Sequence, residues 1–209
     1  MRKSKIKTKK TETNIDLSLN LDGYGKYKIK TTIPFIDHML SLFAKHGLFD
    51  LELQAKGDLH VDIHHTNEDI GICLGEAFKK ALGKKEGIRR VGECSFPLDE
   101  AVTRAVIDLS GRPYLKVRDQ SETAKETAKE RRVHPVSRTE KYFYSIDDAV
   151  DLWRAFTQHA GITCHVWIES GEDAHHIIET FFKAMARALD AASQRDSRVK
   201  GVPSTKGSL

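Results

Sequence analysis

Cysteine is scarce in this chain and never paired by spacing. Cys73, Cys94 and Cys164 are the whole complement, and no two form a Cys-x-x-Cys. An odd, unpaired set argues for a reducing compartment, so a cytoplasmic location is expected. Cys73 and Cys164 sit in apolar stretches and read as small core residues. Long apolar runs are also missing: none reaches the ~18 residues that a bilayer span needs, so no membrane partner is expected. The basic Met1-Arg2-Lys3-Ser4-Lys5 has no apolar segment behind it and does not read as a secretory signal. Charge is nearly balanced, with 34 Lys and Arg against 30 Asp and Glu, a net +4. Much of the excess lies in Lys3, Lys5, Lys7, Lys9 and Lys10, which read as a solvated, partly mobile arm over residues 1–10. No aromatics interleave with these lysines, so nucleic-acid binding is not expected.

The composition, 39% hydrophobic and 31% charged over 209 residues, fits a soluble globular protein of one large or two small domains. Its most unusual stretch is His64-His65-Thr66-Asn67-Glu68, which returns as His175-His176-Ile177-Ile178-Glu179. Two imidazoles and a carboxylate per copy suit a borderline divalent metal. On a helix the second His and the Glu, three apart, are expected to share a face, with the first His aimed at another element or subunit. A polar helix start accommodates one such pentapeptide without any chemistry. Two copies, each opening an apolar helix, argue for a metal site.

Alternation in Ile15, Leu17, Leu19 and Leu21 predicts a half-buried strand, with Asp22-Gly23 as a turn and Tyr24 to Ile33 as the returning strand of a hairpin. Pro34 opens a helix that Gly47 stops. Leu48 to Leu53 and Leu59 to Ile63 read as strands, and Asp69 to Leu82 as a helix. The order then restarts: strands at Ala101 to Leu109 and Tyr114 to Val117, a helix at Ile146 to His159, a strand at Ile162 to Ile168 and a long helix at Ala174 to Ala192. Phe43 and His46 align with Phe156 and His159 at one spacing of 113 residues, which also sets His38 opposite Asp151; the His-His pentapeptides are 111 apart. The expected fold is therefore α+β and internally duplicated. Each of two similar halves has a β-sheet covered on one side by helices, and a pseudo-twofold axis relates them. The divisions are the arm at 1–10, a first repeat at 11–95, a second at 96–195 and a tail at 196–209. A charged excursion at 118–140 interrupts the second repeat, with a short helix expected around Ser121 to Arg132.

Several motifs occur in order: Pro34-Phe35-Ile36-Asp37-His38-Met39-Leu40, Lys45-His46-Gly47, Asp62 to Asp69, Gly111-Arg112-Pro113-Tyr114, Ala174 to Glu179, and Pro203-Ser204-Thr205-Lys206-Gly207. Together they resemble imidazoleglycerol-phosphate dehydratase, the hydro-lyase of histidine biosynthesis, from about Thr11 to the C-terminus. The resemblance implies dehydration of imidazole glycerol phosphate to imidazole acetol phosphate at a site with two Mn2+. It implies the metal ligands His38, His64, His65, Glu68, His175, His176 and Glu179. Where the family often has a further His this chain has Asp151, which binds metal directly, binds through water, or does not bind. Substrate contacts implied by the resemblance are Glu12, His38, His46, Arg90, Arg112, Lys183, Ser204 and Lys206, the last two in a substrate-binding tail. Glu12 and Glu179 are the candidates for proton acceptor. Because no carbonyl activates the proton that must leave, a metal at each ring nitrogen is expected to hold the substrate ring as an imidazolate whose electron density expels the neighbouring hydroxyl. The resemblance further implies self-association into twenty-four chains with sites between subunits. His60, His134, His159 and His165 match no role, although His134, in the excursion, is a possible replacement ligand. Two other readings compete. One is a hydrolase using a metal-bound water. The other is an inactive or RNA-binding homologue that keeps metal for assembly.

Overall fold

In the computed structural model, which describes residues 1–125, 132–133 and 143–207, two four-stranded sheets have one topology. The first contains β1 (Lys3–Lys9), β2 (Thr13–Asn20), β3 (Tyr27–Lys30) and β4 (Asp50–Gly57) in the order β1-β2-β4-β3. The second contains β5 (Val91–Leu98), β6 (Ala101–Asp108), β7 (Tyr114–Asp119) and, completing it, the strand Thr163–Ser170, called β10 because β8 (Arg132–Val133) and β9 (Tyr144–Ser145) precede it. Its order, β5-β6-β10-β7, repeats the first. In each sheet the strand latest in the chain pairs antiparallel on one side and parallel on the other. The helices are α1 (Pro34–Gly47), α2 (His64–Leu82), α3 (Ile146–Ala160) and α4 (Ala174–Ser193). The expected duplicated α+β fold is what the chain adopts.

The helices cross between the halves: α1 packs on α4, and α2 on α3. Trp153 on α3 lies 5.7 Å from Phe43 of α1, 5.3 Å from Phe156 and 5.0 Å from Phe182 of α4, all fully buried. The halves thus share one aromatic core, and truncating so buried a Trp costs about 3–5 kcal/mol. The close approach of α2 to α3 depends on Gly71 and Gly75. A Cβ on either would meet a carbonyl oxygen of α3, of Leu152 or Phe156, at 2.5 Å.

Four expectations need correction. Residues 3–9 form no mobile arm but an edge strand, in register with β2 from Lys3↔Asn20 to Lys9↔Asn14. Ser4 and Thr8 face α2, where Ser4 Oγ donates to the Ala77 carbonyl at 2.7 Å, while the lysines point outward. The strand after Asp22-Gly23 does not return along β2, because β4 lies between them and β3 pairs with β4 in parallel. Leu59 to Ile63 is a turn, and α2 begins at His64 rather than Asp69. The division at residue 96 falls within β5, an unforeseen strand. Equivalent strands are offset by 88 residues (Thr13 to Ala101, Asn20 to Asp108), while α1 and α3 are offset by 113. The excursion is thus a 25-residue insertion between β7 and α3. Of the helix expected there, Glu122–Lys125 is a single 3-10 turn and Arg132 belongs to β8. His134 lies outside the described residues.

Candidate metal centre

Both histidine doublets open a helix, and an aspartate fixes each start. Asp62 accepts from the His64 N–H at 2.8 Å. Asp173 is the N-cap of α4 and accepts from the N–H groups of His175 at 2.6 Å and His176 at 3.4 Å. The doublets then divide their labour, in the opposite sense to the one expected. The first His, one turn before the Glu, is the one that meets it: His175 Nε2 lies 3.3 Å from Glu179 Oε2, and His64 Nε2 lies 4.0 Å from Glu68 Oε2. The i,i+4 spacing brings these side chains together, while the second His projects away. It is held there by a carboxylate that the sequence reading missed. His176 Nδ1 is 2.8 Å from Glu100 Oε2, and His65 Nδ1 is 3.0 Å from Asp58 Oδ2. Each contact leaves Nε2 as the ring atom available to a metal.

His38, on α1, completes the first cluster: its Nε2 lies 3.5 Å from Glu179 Oε2. One donor atom from each of His38, His175 and Glu179 falls within 4.8 Å of the others, the only such trio of metal-type ligands among the described residues. Two imidazoles and a carboxylate at that spacing fit a divalent cation. Lys183, nearly buried one turn further along α4, donates to Glu179. Burial pushes the Glu179 carboxyl up, but Lys183 and the two imidazoles outweigh it and hold it below the ordinary glutamate value. His46 packs edge-on to Phe96 at 5.2 Å, and the Lys183 ammonium sits 5.2 Å from the same ring. Burial, then Lys183 and Arg187, hold His46 toward its neutral form.

The second cluster is the symmetry counterpart of the first, on α2 and α3. His64, Glu68 and Asp151 line one cleft with Arg154 and His159. Asp151 stands where the axis places His38, and its carboxylate is paired with Arg154. Glu12 Oε2 lies 3.9 Å from His65 Nδ1. The 88-residue strand offset makes Glu100 the counterpart of Glu12, a relation that the helix offset of 113 hides. Backbone donation from Asp173, then His176, lowers the Glu100 pKa to about 2. His176 and His65 are correspondingly raised, by Glu100 and Asp58 respectively.

The remaining candidates gather elsewhere. Arg90 holds Asp108 through two contacts, at 2.7 and 3.0 Å, and donates to the Pro203 carbonyl at 2.9 Å. Arg112 Nη2 is 4.0 Å from the same aspartate. The tail is pinned here, also through Gly87 N–H to the Gly201 carbonyl, and Ser204 Oγ accepts from the Lys206 N–H at 3.2 Å. The Arg90 N–H bonds the Ala192 carbonyl, thirteen residues along α4 from Glu179, so the two groups lie roughly 20 Å apart at 1.5 Å per residue.

The family model for imidazoleglycerol-phosphate dehydratase matches residues 31–189. An imidazoleglycerol-phosphate dehydratase of Thermoanaerobacter pseudethanolicus is 49% identical over 209 residues, all of both chains. That of Geobacillus kaustophilus is 48% identical over 208 residues, covering all of this chain and 99% of the other. Among solved structures, the Pyrococcus furiosus enzyme superposes with a TM-score of 0.75 at 31% identity, covering 98% of this chain and all of its own. The Staphylococcus aureus dehydratase gives 0.74 at 29% identity, covering 93% and 99%. With this match along its whole length, and with both histidine doublets opening their helices in matching halves, the chain belongs to the imidazoleglycerol-phosphate dehydratase family.

Proposed function

We propose that the chain dehydrates imidazole glycerol phosphate to imidazole acetol phosphate, a step of histidine biosynthesis, at a cytoplasmic site that takes two Mn2+. The observation that carries this reading is the convergence of His38, His175 and Glu179 on one point in a chain of this family. Bound manganese would supply Lewis-acid polarisation of the substrate's ring nitrogens. His38, His175 and Glu179 would hold one ion, and His64 and Glu68, with Asp151 along the same cleft, would hold the other. His65 and His176, each oriented through Nδ1, offer Nε2 to a cluster on a neighbouring chain.

Of the two candidate bases, Glu12 fits better. Lys183 and two imidazoles stabilise the charged form of Glu179 and make it a weak proton acceptor. Among the described residues no lysine or arginine forms an ion pair with Glu12, which stands exposed beside His65. Arg90 positions the tail through Asp108 and the Pro203 carbonyl, and its Nη1 and Nη2 each keep a second N–H that can meet phosphate. Arg112, Ser204 and Lys206 are the groups it presents. A substrate of three carbons, a ring and a phosphate does not bridge roughly 20 Å, so the phosphate groups around Arg90 of one chain serve the His38 cluster of another. Such sharing requires a homo-oligomer, and twenty-four chains is the assembly implied by the sequence motifs.

The test is turnover of imidazole glycerol phosphate by purified variants. His175→Ala and His64→Ala should each abolish ketone formation, whereas His165→Ala, in β10 and outside both clusters, should leave it intact. Normal turnover by either cluster variant would overturn the reading.

A further inference from the structure

The pseudo-twofold axis gives each cluster three matching positions, but the donors at one of them differ. At α1–α4 they are His38, His175 and Glu179, two nitrogens and one oxygen. At α2–α3 they are Asp151, His64 and Glu68, one nitrogen and two oxygens. Two positions on the long helices diverge in the same direction. Lys183 neutralises Glu179 in the first cluster, and its counterpart at the 111-residue offset is the uncharged Ile72, which lines the second cleft. Arg187 near His46 has Glu76 as counterpart, and Glu76 lies 3.5 Å from His159. The second cluster thus exchanges an imidazole for a carboxylate and, at the positions of Lys183 and Arg187, a cationic neighbour for a neutral or acidic one, while Arg154, whose counterpart on α1 is Ser41, sets a cation against Asp151.

We infer that the two metal positions of this chain, both able to take Mn2+, are chemically unequal: when ions compete, the His38 cluster favours nitrogen-preferring ions such as Co2+ or Zn2+ over Mn2+ more than the Asp151 cluster does. Imidazole donors suit cobalt and zinc, whereas carboxylate suits manganese and magnesium. The remaining His of each doublet adds one nitrogen to either site, so the one-donor difference persists in an assembled pair. Arg154 competes with metal for Asp151, so the second site fills only as that pair opens. The inference rests on the proposed two-metal reading, and its test separates the two.

Chelator-stripped full-length protein is loaded with one equivalent of Co2+ and one of Mn2+. Bound metals are counted after gel filtration, and the cobalt site is read from its visible spectrum and the manganese site from electron paramagnetic resonance. The expected result is one ion of each kind per chain. Asp151→His should let a second Co2+ displace Mn2+, with manganese retention falling at least about tenfold, the lower end of what altering a metal's surroundings does. His38→Asp should do the converse, and Arg154→Ala should strengthen Mn2+ retention. Two ions bound with no preference in wild type, and no change in Asp151→His, would overturn the inference while leaving two-metal binding intact. Binding of no ion at all would overturn both.

Discussion

Replacing Glu100 tests the link between the fold and the metal centre. Glu100 joins the β5–β6 turn to the start of α4: Oε1 accepts from the N–H groups of Asp173 at 3.0 Å and Glu172 at 3.2 Å, and Oε2 meets His176 Nδ1 at 2.8 Å. The fall of its pKa from 4.5 to about 2 sets a ceiling of about 3 kcal/mol on its contribution. The side chain is 30% exposed, and screening by solvent reduces this to about 1–2 kcal/mol. Glu100→Gln keeps the shape and removes the charge. A carboxylate depressed in the folded state stabilises above its unfolded value, and that stabilisation is lost as pH falls from 4.5 toward 2. His176, raised in the folded state, stabilises below its ordinary 6.5 and loses that contribution as pH climbs through its elevated value. The variant should therefore differ most from wild type between these limits. Urea unfolding of chelator-treated protein, at fixed protein concentration, should show a deficit of about 1–2 kcal/mol near pH 5.5 that shrinks by pH 3. Mn2+ affinity should fall roughly 10–100-fold as His176 loses its orientation. An equal deficit at both pH values, or none at pH 5.5, would refute the electrostatic argument.

Other outcomes follow from the same contacts. Gly71→Ala forces a Cβ onto the Leu152 carbonyl at 2.5 Å and should cost about 1–3 kcal/mol in thermal or urea unfolding. It should also loosen metal at the His64 cluster more than at the His38 cluster. Lys183→Met strands the nearly buried Glu179 and should destabilise the metal-free protein by about 3–5 kcal/mol, with Mn2+ recovering part of the loss. Arg90→Ala releases Pro203, so limited proteolysis should clip the tail faster while the far-ultraviolet circular dichroism of the core stays unchanged. A substrate methylated on one ring nitrogen should bind and not turn over.

The helices and their histidines were legible because apolar periodicity and two repeated pentapeptides are local signals. The duplication was legible from one constant spacing. The register of the pentapeptide was not: three-residue and four-residue neighbours both lie on one helix face, and only the position of Glu179 against His175 shows which pair meets. β1 was hidden because its inward residues are Ser4, Ile6 and Thr8, too polar to stand out between lysines. Glu100 lies 76 residues from His176, and Asp58, although only 7 residues before His65, is separated from it by an irregular turn, so no helix or strand spacing marks either as a partner. The strand offset of 88, which makes Glu100 the twin of Glu12, relates β2 to β6 and is masked by the helix spacings of 113 and 111.

The most direct measurement is turnover of imidazole glycerol phosphate by the purified chain, stripped with chelator and then assayed with and without added Mn2+. The account predicts no ketone product from the stripped protein and full recovery on manganese addition. Absence of product under both conditions would contradict it.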